Sequence, residues 1–436
     1  MGVNDHEQLL SNDKPITTKT VIEAYPYIKN DKNGGDALQS LLLMCERLII
    51  TDQGSAAWMF RLQPKLLKEV LEHAKANKNT ELVNHVRYSL RDYPATLAEN
   101  SQTAAEVLPL IDMPILNPAD INFNLNGHGE RSKILGKGVS AVVLSAELKK
   151  KPVALKIDVL QQETTSCYQE AMTYTHIETH GGHPNITKFY GLAIPRILVL
   201  ELCETTLGDV LANLKEKTSE EKAIYALRAI QQLASALMFL SAHKIIVADL
   251  EVKNILVRED GSLAICDLAN SLFEYQLQDP FYRLQHLTTI TAAPPEVIVL
   301  AQPENEREEA IKEYNITPGN SPSMDIYALG IIAISLYFAT RFNMIPYYKA
   351  DERREIDTHD PSAKAKDIAT YYLDYVMQHH EHGWPRIKTS NSLVVHAFNR
   401  LARKMHQANP FDRINPEQAK DEADRILATH CNKRAR

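Results

Sequence analysis

Val247-Ala-Asp-Leu-Glu-Val-Lys-Asn-Ile-Leu-Val257 is a charged loop that runs into an apolar strand, and Asp267-Leu-Ala269 follows ten residues later. Asp260-Gly261 supplies a turn and the residues after it a second apolar strand, so the two strands form a hairpin. One edge of such a hairpin holds Asp249, Asn254 and Asp267, a trio of oxygen donors. Hard oxygen ligands in small number suit Mg²⁺, which completes its shell with water and phosphate. The stretch therefore points to phosphoryl transfer.

The chain has 436 residues, enough for more than one domain and a sizeable core. Its 44% hydrophobic and 24% charged content is ordinary for a soluble globular protein. A formal charge of -7 argues against a nucleic-acid partner, whose binding face is normally basic. Cys45, Cys167, Cys203, Cys266 and Cys431 are scattered and odd in number, which predicts a reducing, cytoplasmic compartment with no disulfide framework and no zinc motif. The first residues carry no basic-then-apolar signal, and His6 occupies the place where myristoylation of Gly2 wants Ser or Thr. The longest apolar run, Ala328 to Ala339, is too short for a membrane span. His379-His380-Glu381-His382 lacks a second cluster to complete a metal site and reads as a solvated helix end.

Residues 1–30 are polar and expected to be flexible. Residues 31–125 form an all-α region, where Leu38, Leu41, Leu42 and Cys45, then Leu66, Leu67, Val70, Leu71 and Ala74, repeat at helical spacing. Thr80 is placed to cap a helix with an apolar face of Leu82, Val83, Val86 and Leu90, and Pro94 marks a break. We expect roughly four helices here, serving as a structural or partner-binding layer. Asn117-Pro-Ala-Asp and Asn126-Gly127 mark a linker or turn.

At Ile134 the pattern changes to short strands. Leu135-Gly-Lys-Gly-Val-Ser-Ala141-Val-Val143 places Gly136 and Gly138 in a turn, where backbone N–H groups can approach phosphate without Cβ interference. Hairpins with glycine are common, so this turn alone says little. In Pro152-Val-Ala-Leu-Lys156-Ile one lysine interrupts an apolar strand, and Glu170 follows fourteen residues later on a helix. Pairing of the two would hold the lysine over a phosphate.

The order Gly-rich loop, V-A-L-K, helix Glu, D-L-x-x-x-N, D-L-A and P-P-E resembles the eukaryotic-type protein kinase superfamily, over roughly residues 130–425. The resemblance implies an α+β, bilobal protein kinase-like fold preceded by the all-α region. It has a small β-rich N-lobe at 126–203 and a large, mainly α C-lobe at 204–430. Gly136, Lys137 and Gly138 would cover the phosphates of ATP, with Ala141 at the third glycine position. Val143 and Ala154 would sandwich the adenine, Leu200 would be the gatekeeper, and backbone at Glu201 and Cys203 would bind the adenine edge. Lys156, held by Glu170, would contact the α- and β-phosphates. Asp249 would orient the substrate hydroxyl and accept its proton, while Asn254 and Asp267 would bind Mg²⁺. Glu296 of the Pro-Pro-Glu motif would pair with Arg413, and Asp325 would brace the catalytic loop.

The chain departs from the family at several positions. H-R-D is Val247-Ala248-Asp249, and Ala248 cannot bind a phosphorylated activation segment as the family's Arg does. Activity independent of that phosphorylation, or switched by a partner, is the expectation. D-F-G is Asp267-Leu268-Ala269, and Ala269 stiffens the segment relative to Gly. Glu251 stands where Ser/Thr kinases carry Lys, and Lys253 where tyrosine kinases often carry Arg. Thr289, seven residues before Glu296, instead matches the Ser/Thr pattern, and Ser/Thr is the favoured reading. An acidic insertion at 302–320 either meets a basic partner or is a solvated surface helix. The implied protein phosphorylates a protein hydroxyl. The alternative is a nucleotide-binding pseudokinase scaffold that acts through partners. The motif style also resembles eukaryotic-like kinases that intracellular bacteria deliver as effectors into the host cytosol. The N-terminal helices or N-lobe offer a surface for a homodimer.

Overall fold

The computed structural model of the chain describes residues 17–30, 35–52, 54–95, 97, 101–123, 132–138, 141–159, 166–273, 294, 322–340, 392–407 and 409–434. They belong to two compact units, Met1–Gly182 with Lys188–Leu202, and His183–Thr187 with Cys203–Arg436. Together they give an α+β protein: a helical N-terminal region, a curled antiparallel sheet and a mainly helical second unit.

The first unit opens with helices α1 (Thr18–Asn30), α2 (Gly35–Thr51), α3 (Ser55–Leu62), α4 (Pro64–Ala76), α5 (Thr80–Asp92) and α6 (Ser101–Val107). The expectation of a flexible segment over residues 1–30 fails at α1. Val21, Ala24, Tyr25 and Ile28 lie at i, i+3, i+4 and i+7 and are all buried, so a short apolar stripe anchors the helix. The predicted stripe of α4, Leu66, Leu67, Val70, Leu71 and Ala74, is buried in full. In α5 the cap is Asn79 and not Thr80: Asn79 Oδ1 accepts the Leu82 N–H at 3.1 Å. Thr80 becomes the first helical residue, because the amide one position upstream reaches the same orphan donor. More helices form than expected because α3 and α6, eight and seven residues long, are too short for periodicity to reveal them.

The Asn117-Pro-Ala-Asp part of the expected linker is tied into the sheet, while Asn126 and Gly127 lie outside the described residues. Asn117 caps a 3-10 turn at Pro118–Asp120, accepting the Ala119 N–H at 3.0 Å, and strand β1 (Ile121–Asn122) follows. The other strands of this sheet are β2 (Ile134–Lys137), β3 (Ala141–Leu148), β4 (Lys151–Asp158), β5 (Phe189–Ala193) and β6 (Ile197–Glu201). All pair antiparallel in the order β1-β3-β4-β6-β5, with β2 also on β3. Ile121, Ala146, Val153, Leu155, Ala193 and Val199 form one apolar cluster, so β1 contributes to the sheet's core. Helix α7 (Ser166–Thr179) packs against β4, β5, β6 and α5.

In the second unit β7 (Thr205–Thr206), α8 (Leu207–Leu214), α9 (Ser219–Ala242) and β8 (Ile245–Ile246) lead to β9 (Ile255–Val257) and β10 (Leu263–Ile265). β9 and β10 form the hairpin expected around Asp260-Gly261, with Gly261 at φ +80°, and β7 adds a third strand. β11 (Leu272–Phe273) pairs with β8. Helices α10 (Pro322–Phe338), α11 (Leu393–Met405) and α12 (Pro416–Arg434) pack around α9. Capping boxes at Thr206/Asp209 and Thr218/Glu221 start α8 and α9. Among the described residues α9 is the one helix long and apolar enough to cross a membrane; here Leu227, Ile230, Leu233, Ala234 and Leu237 are buried in the core of its unit.

Gly191 in β5 shows how closely the tied-down linker approaches. Leu192 donates its N–H to the Pro114 carbonyl at 2.8 Å and accepts from the Leu116 N–H at 2.9 Å. Gly191 has φ +146°, and a Cβ there would lie 2.6 Å from the Pro114 oxygen and 2.8 Å from Leu116 Cγ. Gly191→Ala is therefore expected to cost about 2–4 kcal/mol in denaturant unfolding, combining overpacking and backbone strain. Gly136→Ala, with no atom within 4 Å of its Cβ position, is the control and should leave stability nearly unchanged. A loss below about 0.5 kcal/mol at Gly191 would contradict the contact.

Candidate active site

In the first unit the glycine turn joins β2 to β3, with Gly136 opposite Val143 and Lys137 opposite Val142. The Gly138 N–H donates to the Ala141 carbonyl at 2.8 Å, closing the turn, and Ala141 is buried at the third glycine position. The register of β3, β4 and β6 sets Val143 beside Lys156 and Ala154 beside Leu200; Ala154 and Leu200 are both buried. Lys156 Nζ meets Glu170 Oε2 of α7 at 2.6 Å, with the side chains 15% and 1% exposed. A strand inside an apolar sheet thus presents one cation, and a helix supplies the carboxylate that neutralises it. Glu201 ends β6, donating its N–H to the Lys188 carbonyl at 2.9 Å. The half-buried Cys203 opens the second unit two residues later.

In the second unit the loop after β8 turns sharply at Ala248, whose φ of +62° is unfavourable for a residue with a Cβ by about 1–2 kcal/mol. Asp325 of α10 holds the turn, accepting the Val247 N–H at 2.9 Å and the Ala248 N–H at 3.1 Å. Val247 is fully buried and takes an apolar packing role. Asp249 follows, nearly buried. Asn254 Nδ2 donates to the Asp249 carbonyl at 2.9 Å and to its Oδ2 at 3.3 Å, and Asn270 Nδ2 reaches the same Oδ2 at 3.3 Å. Two amides thereby orient the Asp249 carboxylate. Asp267 adopts φ +58°, a conformation Asp tolerates better than most residues, and Leu268 beside it is fully buried.

Asn254 spends its amide nitrogen on Asp249 and keeps Oδ1 as an acceptor; Asp267 offers a carboxylate. Among the described residues no group of three or more His, Cys, Asp or Glu side chains is arranged to hold a metal. Asn254 Oδ1 and the Asp267 carboxylate are hard oxygen donors of the kind Mg²⁺ takes beside water and phosphate. Lys253 contacts Glu251. Burial works against its charge, but the Glu251 hydrogen bond and the charges of Glu251, Asp249 and Asp267 outweigh burial and raise its pKa. Lys253 therefore stays protonated beside three acids, Glu251, Asp249 and Asp267.

Sequence reasoning missed Asn270 and the Glu251–Lys253 contact. The spacing of Asn270, three residues after Asp267, was visible, but its direction toward Asp249 emerges only from the turn before β11. Arg413 donates from Nε to the Gln407 carbonyl and from Nη1 to the Ser323 carbonyl, and lies over the Tyr327 ring at 4.7 Å. Its expected partner Glu296 lies outside the described residues, as do Thr289, Ala293, the 302–320 insertion and His379 to His382.

The description "Protein kinase domain" matches residues 130–423, more than half of the chain. The chain belongs to the protein kinase family. Among curated kinases it is 30% identical over 162 residues to the mouse (Mus musculus) protein named tyrosine-protein kinase Fer, covering 36% of this chain and 18% of that protein. It is 29% identical over 179 residues to Aurora kinase A-B of Xenopus laevis, covering 39% of this chain and 41% of the relative. It is 24% identical over 201 residues to mitogen-activated protein kinase kinase kinase dlk-1 of Caenorhabditis elegans, covering 45% and 18%. The matches span well under two thirds of these kinases' own lengths.

Asp325, the brace under the kinase signature, is itself under electrostatic load. Full burial pushes its carboxyl up to about 6, against the lowering effect of the Val247 and Ala248 N–H groups. The folded state therefore binds this proton more tightly than the unfolded chain does, whose Asp titrates near pH 4. The resulting stabilisation is complete below about pH 4 and is lost as pH rises through about 6. Asp325→Asn removes the titration. The stability difference between wild type and this variant should shrink by roughly 2–3 kcal/mol from pH 4 to pH 7, measured by denaturant unfolding. A pH-independent difference would contradict the shift.

Proposed function

We propose that this chain is an active protein kinase that uses ATP and Mg²⁺ to phosphorylate a protein hydroxyl. The observation that carries the reading is the complete polar set: Lys156 is paired with Glu170, and Asp249 is oriented by Asn254. In this role Lys156 binds the α- and β-phosphates and Asp249 accepts the proton of the substrate hydroxyl as it attacks. Gly136, Lys137 and Gly138 cover the phosphates, Val143 and Ala154 contact the adenine, and Glu201 and Cys203 offer backbone to its edge. Asn254 and Asp267 would hold Mg²⁺, whose charge offsets that of the transferring phosphoryl group.

Ser/Thr is the proposed acceptor class, on the strength of Thr289 and against the opposing pattern of Glu251 and Lys253. The named relatives do not choose, since one of them is called a tyrosine kinase. Ala248 in place of the family's Arg supports activity without activation-segment phosphorylation. A reducing, cytoplasmic location is proposed from the scattered, odd-numbered cysteines of the sequence. A second reading, a nucleotide-binding pseudokinase scaffold, draws on Val247, Ala248 and Ala269, the departures from H-R-D and D-F-G.

The test is transfer of labelled phosphate from ATP with Mg²⁺ to a generic protein acceptor, followed by phosphoamino-acid analysis. Wild type should label Ser or Thr, pretreatment with a phosphatase should leave the rate unchanged, and Asp249→Asn should reduce it at least about 10²-fold. Equal labelling by wild type and Asp249→Asn would refute the kinase reading and favour the scaffold.

A further inference from the structure

The Lys156–Glu170 pair holds α7 from the side of the sheet. Its other side is held by α5, an element of the N-terminal helical region that lies before the family match. Arg91 Nε donates to Thr173 Oγ1 at 3.1 Å, and that hydroxyl donates to the Gln169 carbonyl at 3.0 Å. Arg87 Nη1 lies 3.5 Å from His176 Nδ1, and its Nη2 donates to the Ile111 carbonyl at 3.0 Å. The Tyr88 ring sits 5.7 Å from the His176 ring. Arg87, Arg91, Thr173, His176 and Glu170 are all at most 3% exposed.

Two almost fully buried arginines are an expensive way to join two helices. Burial lowers the pKa of Arg87, and only the charges of Asp112 and Tyr88 oppose it. An apolar interface of the same size would cost less. What directed hydrogen bonds add is a fixed register, and Thr173 lies within one turn of Glu170. α7 has buried residues all around it, including Cys167, Tyr168, Ala171, Met172, Tyr174 and Ile177, as expected for a helix enclosed on both sides.

We propose that α5 is a built-in positioning element: Arg91 and Arg87 hold α7 so that Glu170 meets Lys156 without an external activator. The claim rests on the kinase reading above and gives the N-terminal helices a role in it. It also places control away from the activation segment, whose phosphate would have no reader because Ala248 stands at the Arg position of H-R-D. Arg91 and Arg87 are positioning residues; they act through α7 and touch neither nucleotide nor acceptor.

The experiment uses the full chain with Arg91→Met, Thr173→Val and Thr173→Ser, each alone and with Glu170→Gln, and with Arg91→Met and Thr173→Val combined. Readouts are KM for ATP, kcat, thermal midpoint and hydrogen exchange over residues 166–179. Arg91→Met and Thr173→Val should each raise the KM for ATP about tenfold, the size of one lost charge-assisted hydrogen bond, and should not add to one another. Thr173→Ser should restore the wild-type value, and neither loss should appear once Glu170 is already Gln. Exchange over 166–179 should quicken in Arg91→Met and Thr173→Val. Effects that add fully to Glu170→Gln, or an unchanged KM, would overturn the proposal in an active enzyme. If wild type transfers no phosphate, the kinase reading fails by itself. The positioning claim then stands or falls on exchange: faster over 166–179 supports it, and unchanged exchange overturns it.

Discussion

The ion pair between Lys156 and Glu170 is the constraint from which the first unit is best understood. Lys156 sits in the middle of β4, with Val143 and Leu198 as its cross-strand neighbours. A charge in such a place is tolerated only when a partner neutralises it, since loss of one member leaves the other buried and unpaired. The partner comes from α7, so α7 must be held in rotation and in height. The sheet holds one side and α5 the other. The helical layer before the family match thus contacts the helix that carries the partner of Lys156, the residue proposed to bind phosphate, through packed side chains and hydrogen bonds within one compact unit.

The second unit solves a similar problem with backbone strain. Ala248 and Asp267 both have positive φ, and between them lie Asp249 and Asn254. The Asp325 carboxylate satisfies two N–H groups at the first strained turn, which offsets a cost that alanine would otherwise impose. The chain has thus kept the brace while discarding the arginine that normally occupies position 248 in this family. What remains is a loop in which the Asp249 carboxylate has two amide donors, Asn254 and Asn270, as partners.

Much of this was legible in the residues. The hairpin followed from two apolar runs about Asp260-Gly261, and Lys156, Glu170, Asp249, Asn254 and Asp267 followed from their order and spacing. Those residues are readable because phosphoryl transfer needs particular chemical groups on particular elements. The illegible parts depend on which face meets a second layer. α1 was hidden because a single four-residue stripe, broken by Pro26, is a weak periodic signal in a short segment. β1 was hidden because two residues carry no period. Arg87 and Arg91 look like the solvent face of an amphipathic helix until α7 is placed against them, and Asn270 looks like a loop residue until the turn aims it at Asp249.

We propose that the Lys156–Glu170 pair serves nucleotide phosphate. Equilibrium binding of ATP to wild type and Glu170→Gln, with and without Mg²⁺, tests it most directly, because it needs no acceptor protein. Wild type should bind ATP more tightly with Mg²⁺, and Glu170→Gln should bind about tenfold more weakly than wild type, with the fold intact by circular dichroism. Equal affinity of the two proteins for ATP would contradict it.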